Sequence, residues 1–386
     1  MSHSVPDEAF ALAIATLPEV GPARRLVLHR AGDLRTVWSR ICDGSIGCDP
    51  QVRRALGLGI GEPMLTEEYS PIIQSWQDHA ASLDPAAELD RHLTAGVGVA
   101  ALGSARYPGA FVEDPEPPTV VCWLGDIDDL VGPRVAIIGT RRCTQAGRDT
   151  AFELGYALSA AGVSVVSGLA LGIDAAAHRG ALAAGGAPPI AVVGSGLDVI
   201  YPPANRALWS QVAEAGVVLT ELPLGEPPRA WHFPNRNRMI AALADVVVVV
   251  ESRRRGGSLS TVAAAIRRDR DVMAVPGPVR SPAAEGSNAL LRDFGVCCDA
   301  TDVLLRLGMS PAARRPSAEQ RPLPEGNAAL ILDALGWQPS TLEDLVARVH
   351  LPLEVVTLAL IQLEEAGWVS EHGGWFERRA KTEFAG

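Results

Sequence analysis

Residues 233–261 of this 386-residue chain carry the side chains best suited to chemistry. They read Phe-Pro-Asn-Arg-Asn-Arg-Met-Ile, a short helical run, valines 246–250, and then Glu251 and Arg253-Arg254-Arg255-Gly256-Gly257-Ser258-Leu259-Ser260-Thr261. Five consecutive valines predict a fully buried parallel strand. The basic, glycine-rich turn after it is expected to open a helix over 262–268. Ligands of open α/β sheets sit outside the carboxyl ends of such strands. Guanidinium groups, free backbone N–H groups and a helix N-terminus all suit phosphate. The turn has no thiol, no histidine and a single carboxylate. The expected chemistry is therefore anion binding, and no catalytic residue is assigned.

Other strand ends offer the same kind of group. Gly139-Thr140-Arg141-Arg142 follows the first core strand, where a glycine admits a ligand to the backbone and Thr and Arg bind phosphate. The G-x-G-x-x-G spacing of a dinucleotide fingerprint is absent. Ser167 and Gly168 begin the segment that ends at Asp174, with His178 one turn further on. An i, i+4 Asp–His pair can do acid–base work, but the favoured reading is that it orients its helix. Gly194 and Gly196 are read as a nest of N–H groups. In the same loop Tyr201 is a candidate to stack on a base, with Asn205 beside it. Asn235 resembles an N-cap, which places Arg236, Asn237 and Arg238 in the first turn of a helix. Arg236 and Arg238 would then not share a face. One would reach the ligand and the other a carboxylate such as Glu221 or Glu251. Arg255, Gly257 and Ser258 complete the candidate site.

A doubly wound parallel sheet is the element that would position these turns. Strands are expected at 135–138, 164–167, 190–193, 217–220, 246–250, 272–275 and 296–298, with amphipathic helices such as 148–161 and 204–214 between them. This core spans 131–307. Before it, 1–65 reads as a helical module similar to a SAM or helix-hairpin-helix unit. Glu19 occupies the first glycine position of that hairpin. A carboxylate there repels phosphate, so a structural role is expected. Residues 66–130 read as a connecting region that adds a strand near 120–124 to the core. Residues 308–326, rich in Pro, Ala and Arg, read as a flexible linker. The tail, 327–386, reads as helices at 328–335, 341–349 and 353–366 and two strands around Gly373-Gly374. Thr341 and Asp344 supply a helix-start signature. This is a winged-helix pattern.

Net charge is −11, yet it is unevenly placed. Residues 1–130 hold nine arginines against nineteen carboxylates, and 131–307 hold eighteen against fifteen. The tail holds four cations against nine carboxylates. Lys381 is the chain's one lysine, so every cation of the core is a planar guanidinium. No apolar run reaches the ~18 residues of a membrane span. Residues 1–10 lack a signal-peptide pattern. The six cysteines form no C-x-x-C pair, and neither a metal site nor a cofactor is expected. A reduced, cytoplasmic setting is the reading.

Five blocks in order resemble the DNA-processing protein A (DprA, also called Smf) family over about residues 95–305. They are Ser-Gly-Leu-Ala-x-Gly-Ile-Asp-x-x-Ala-His from Ser167, Gly-x-Gly-Leu-Asp-x-x-Tyr-Pro from Gly194, Phe-Pro-x-Arg-Asn-Arg-x-Ile from Phe233, Gly-Ser-Leu-x-Thr from Gly257, and Val-Pro-Gly from Val275. The helical N-segment and the winged-helix tail match the family's longest architecture. The resemblance implies a single-stranded DNA binder, not an enzyme, that helps load RecA recombinase. It further implies action in natural transformation where that occurs, and dimerisation through the central fold. Two alternatives stay open. One is a phosphoribohydrolase of the lysine-decarboxylase-like fold, which would need a catalytic glutamate that 262–266 lacks. The other is a winged-helix transcription regulator. Its recognition helix should be basic, whereas 353–366 holds Glu354, Glu364 and Glu365 and no cation.

Overall fold

A computed structural model describes residues 5–57, 71–310 and 323–379. Most of the expected linker, 311–322, lies outside the described residues, as do 58–70. Six helices open the chain: α1 (Asp7–Ala15), α2 (Pro22–Arg30), α3 (Leu34–Cys42), α4 (Pro50–Ala55), α5 (Pro71–Ala81) and α6 (Pro85–Thr94). Side chains of Asp33, Asp49 and Asp84 cap α3, α4 and α6 by accepting from their first-turn N–H groups. Glu19 sits at φ 56°, in the left-handed region where glycine is at ease, so the hairpin between α1 and α2 is made without its first glycine.

These helices share one apolar core with a face of the sheet. Phe10, Leu12, Trp38 and Trp76 are buried in the same cluster as Ala191, Leu208 and Val218. Arg25 fastens the joint. Its guanidinium is buried and donates to the carbonyls of Val20 (3.0 Å), Ala15 (3.2 Å) and Glu221 (2.8 Å). The helical layer thus runs to Thr94, through α5 and α6 of the expected connecting region.

The core alternates strands and helices: β1 (Gly98–Ala101), β2 (Val120–Gly125), β3 (Arg134–Ile138), α7 (Gln145–Ala160), β4 (Ser164–Ser167), α8 (Ile173–Ala184), β5 (Ile190–Val192), α9 (Arg206–Ala215), β6 (Val217–Thr220), α10 (His232–Leu243), β7 (Val246–Val249), α11 (Ser258–Ile266), β8 (Asp271–Ala274), α12 (Glu285–Leu290), β9 (Gly295–Val296) and α13 (Ala300–Arg306). The nine strands lie in the order β1-β2-β6-β5-β4-β3-β7-β8-β9. From β6 to β9 the pairing is parallel, and β1 and β2 are added antiparallel. The valines of β7 are at most 1% exposed, as a strand covered on both faces requires. Each contributes about 1.5–3 kcal/mol on burial.

Two expected helix starts are corrected. α10 begins at His232, so Asn235 lies inside the helix and caps nothing. Pro234 tolerates this because a first-turn residue needs no N–H bond. α11 begins at Ser258 and not at 262. The small residues of α8 up to Ala181 turn inward. A Cβ on Gly180 would lie 2.0 Å from the Phe152 carbonyl of α7, and Ala181 is 1% exposed.

The tail forms α14 (Gly326–Leu335), β10 (Ser340–Thr341), α15 (Leu342–Val349), α16 (Leu353–Glu365), β11 (Val369–His372) and β12 (Trp375–Arg378). It is a winged helix with its own core of Ile331, Leu345, Leu360 and Trp368. Thr341 and Asp344 close a reciprocal capping box at α15. Gly373 and Gly374, at φ 61° and 84°, supply the two left-handed residues of the hairpin turn. β10 went unseen in the sequence, being two residues long.

Candidate nucleic-acid interface

The parallel strands run outward from β3 in both directions: β4, β5 and β6 to one side, β7, β8 and β9 to the other. The crevice between the carboxyl ends of β3 and β7 is therefore the topological switch point. Thr140 N–H donates to the Glu251 carbonyl (2.8 Å) and ties the two loops together at its base. Above this tie lies a cleft of ≈ 840 Å³.

Its walls are cationic. Arg141, Arg142, Arg253 and Arg255 line the cleft from exposed positions. Arg254 points elsewhere, towards Glu285 (3.8 Å). Glu251, the carboxylate of the turn, is directed away from the cleft. Its oxygens accept from Thr144 Oγ1 (2.6 Å) and Thr144 N–H (2.9 Å) at the start of α7. Burial raises its pKa, and the two Thr144 bonds oppose that.

The floor contains Arg236 and Asp174. Arg236 is 5% exposed, and Nη1 donates to the Val192 carbonyl (2.6 Å). Burial lowers its pKa to about 10, with the Asp174 carboxylate working against the shift. Asp174 accepts from Gly168 N–H (3.1 Å), and burial raises its pKa. Gly168 is required here, since a Cβ would stand 1.7 Å from Arg236 Nη1. Both Asp174 and His178 of α8 are buried. His178 is fully buried and its pKa falls to about 3, chiefly by desolvation.

Beside Arg141 is an aromatic wall. The rings of Tyr201 and Phe233 are 5.6 Å apart, and the Arg141 guanidinium lies 4.8 Å from the Phe233 centroid. A small recess opens between them, edged by Gly168, Gly194 and Arg236. Tyr201 is 38% exposed, with free ring surface for a further π system.

The cleft brings together Gly139, Thr140, Arg141, Arg142, Tyr201, Arg236, Asn237, Arg255, Gly257 and Ser258. Gly168 and Gly194 join through the recess. The remaining candidates lie outside it. Ser167 Oγ donates to the Ile137 carbonyl (2.6 Å) within the sheet. Gly196 packs under the Pro223 carbonyl. Asn205 is buried and donates to the carbonyls of Leu169 and Ala170, so it braces the β4–α8 loop. Arg238 is buried and donates to Glu221 Oε2 and the Glu116 carbonyl. Ser258 Oγ is taken up by Ser252 (2.9 Å), which leaves its N–H as the group nearest to use. Phe233 and Arg253 were not among the candidates. Phe233 had a sequence signal, since it opens the Phe-Pro-x-Arg-Asn-Arg block.

A family model described as DNA recombination-mediator protein A matches residues 98–307, and a DprA winged helix domain matches 311–374. The chain belongs to the DNA recombination-mediator protein A family. Protein Smf of Synechocystis sp. is 34% identical over 312 residues, which cover 71% of this chain and 78% of that one. DNA processing protein DprA of Streptococcus pneumoniae is 41% identical over 187 residues, 48% of this chain and 66% of its own. The X-ray structure of the S. pneumoniae DprA superposes with a TM-score of 0.61 at 30% identity, covering 77% of this chain and 95% of that one. Gly168, Gly194, Tyr201, Phe233, Arg236, Gly257 and Ser258 bring four of the five sequence blocks to the cleft or its recess, whereas Val275, Pro276 and Gly277 line another hollow. Among the described residues no helix is long and apolar enough to cross a membrane.

Proposed function

We propose that this chain is a single-stranded DNA-binding recombination mediator, without enzymatic activity, that covers single strands in the cytoplasm and passes them to RecA recombinase. The observation that carries the reading is the presence of exposed arginines and an aromatic wall within one cleft. Phosphates need the first and unstacked bases the second. A duplex keeps its bases stacked inside and has no use for Tyr201. Membership of a recombination-mediator family supports the hand-over to a recombinase. A homodimer through the core is part of the proposal. The sheet ends at the two-residue strand β9, where Val296 is 48% exposed. Two copies would multiply contacts on one strand.

The test is a salt-controlled titration of single-stranded against duplex DNA. Single strands should bind sequence-tolerantly and weaken steeply as salt rises. Arg141→Ala and Arg255→Ala should each cost about 1–3 kcal/mol of affinity. Wild-type affinity in both folded variants refutes the site. Release of free base from a nucleotide would instead establish the phosphoribohydrolase. Only monomer in sedimentation at about 10 μM, above a micromolar dissociation constant, refutes the dimer.

A further inference from the structure

A second groove begins where the cleft ends. It has a volume of ≈ 890 Å³ and runs between α2 and the core. Pro234 and Ser260 line both spaces, so the two adjoin at the first turn of α10 and the start of α11. The groove is built and not a chance gap. The buried Arg25 holds its α2 wall to the Glu221 carbonyl, and Glu221 is paired with Arg238 of the opposite wall.

The groove repeats the chemistry of the cleft. Arg30, Arg229 and Arg267 stand exposed along it, with Arg24 half-buried. Glu19 and Glu116 are its carboxylates. Arg229 faces the half-buried Glu226 at 3.2 Å, and Arg267 faces the exposed Glu116 at 4.0 Å. An exposed pair such as Arg267–Glu116 is worth little, and a phosphate can take the carboxylate's place on either arginine. Trp231 stands at the mouth, 46% exposed, with its ring edge-on to His232 at 4.0 Å. A large indole held by its neighbour and open on a face is a stacking platform.

We propose that a single strand leaving the central cleft continues into this groove, with phosphates on Arg30, Arg229 and Arg267 and a base on Trp231. The inference rests on the single-strand reading of the central cleft. Charge complementarity and direct adjacency to that cleft single out the occupant. A strand so bound turns across α10 and engages the helical layer, which gives that layer a part in DNA binding that the Glu19 hairpin alone does not suggest. The site size then exceeds what the switch-point cleft holds.

The experiment uses the full chain and two oligothymidylates, of about 6 and about 20 nucleotides, bracketing the range of one such site. The variants are Arg30→Ala/Arg229→Ala/Arg267→Ala and, separately, Trp231→Ala, with Arg141→Ala/Arg255→Ala as the cleft control. The groove variants should lose about tenfold on the long strand and less than twofold on the short one. The triple variant should also lower the salt slope on the long strand by about two, at roughly 0.7 per phosphate contact. Trp231→Ala keeps the test decisive if the triple variant is unstable. Unchanged long-strand affinity in the groove variants, or equal losses on both lengths, overturns the inference while the cleft control is still weakened on both lengths. If the wild type binds neither strand, or the cleft control binds both normally, the central reading falls and takes this one with it.

Discussion

Glu221 lies between two buried cations, and that arrangement predicts an unequal outcome for its removal. Arg238 donates to its carboxylate, and side chains of both residues are about 6–7% exposed. Arg25, fully buried, has Glu221 as its main attractive partner and Arg238 as a repulsive one. Removing one member of a buried pair costs about 3–5 kcal/mol, because the other is left charged in a poor solvent. Arg238→Met leaves Glu221 with Arg25 still beside it, so its cost should sit near the low end, about 3 kcal/mol. Glu221→Gln leaves two guanidinium groups facing each other with only the weaker attraction of Glu226 on Arg25, so its cost should sit near the high end, about 5 kcal/mol. The double variant should cost clearly less than the sum, with a coupling of about 2–3 kcal/mol. Urea denaturation of all four proteins at pH 7.5 closes the cycle. An Arg238→Met cost equal to or above that of Glu221→Gln, or additive effects, would falsify the charge-sandwich argument. Folded Arg238→Met should also keep its affinity for a short oligothymidylate within about threefold, or ~0.7 kcal/mol, since its guanidinium does not line the central cleft.

Three further outcomes are expected. Burial holds His178 neutral down to about pH 3, so the unfolded chain gains a proton that the folded one refuses below the ordinary value of 6.5. Stability from this group is therefore complete above pH 6.5 and falls on acidification, by about 2 kcal/mol at pH 5. His178→Gln should remove that slope, and an unchanged pH dependence of urea midpoints would show the histidine is not responsible. Asp174, whose pKa is raised, contributes with the opposite sign and remains in both proteins. Gly168→Ala should dislodge the Arg236 guanidinium from the Val192 carbonyl, costing about 1–3 kcal/mol of stability with weaker single-strand binding. Wild-type thermal stability and affinity in that variant would mean the loop yields freely. Deleting 327–386 should leave single-strand affinity within about threefold, ~0.7 kcal/mol, because α16 presents glutamates and no cation. A tenfold loss measured against the full chain would make the tail a DNA-binding element.

Legibility in the sequence followed burial. The valine strand, the glycine-rich turns and the winged-helix tail are each written in local composition, and each formed where it was read. The arginines proved harder. Arg236 and Arg238 look alike in sequence, two residues apart, yet one floors the cleft and the other pairs with Glu221 behind it. Their fates depend on a partner contributed by a strand elsewhere in the chain. Asn205 misled for the same reason. Its amide serves a loop some 35 residues upstream. The start of α10 was misplaced because Asn is a strong cap signal and Pro a strong break signal. Neither operates in a first turn whose N–H groups need no partner. The helical layer's fusion with the sheet was illegible, since a helix's apolar stripe does not name the surface it covers.

The cations of the central cleft are all guanidinium groups, and the chain's one lysine, Lys381, lies outside the described residues. Lysine acylation erases charge, and guanidinium groups do not take that modification. Acetyl transfer therefore cannot dim the cleft's positive field. Control over when DNA enters must come from something that covers the cleft or withholds the strand.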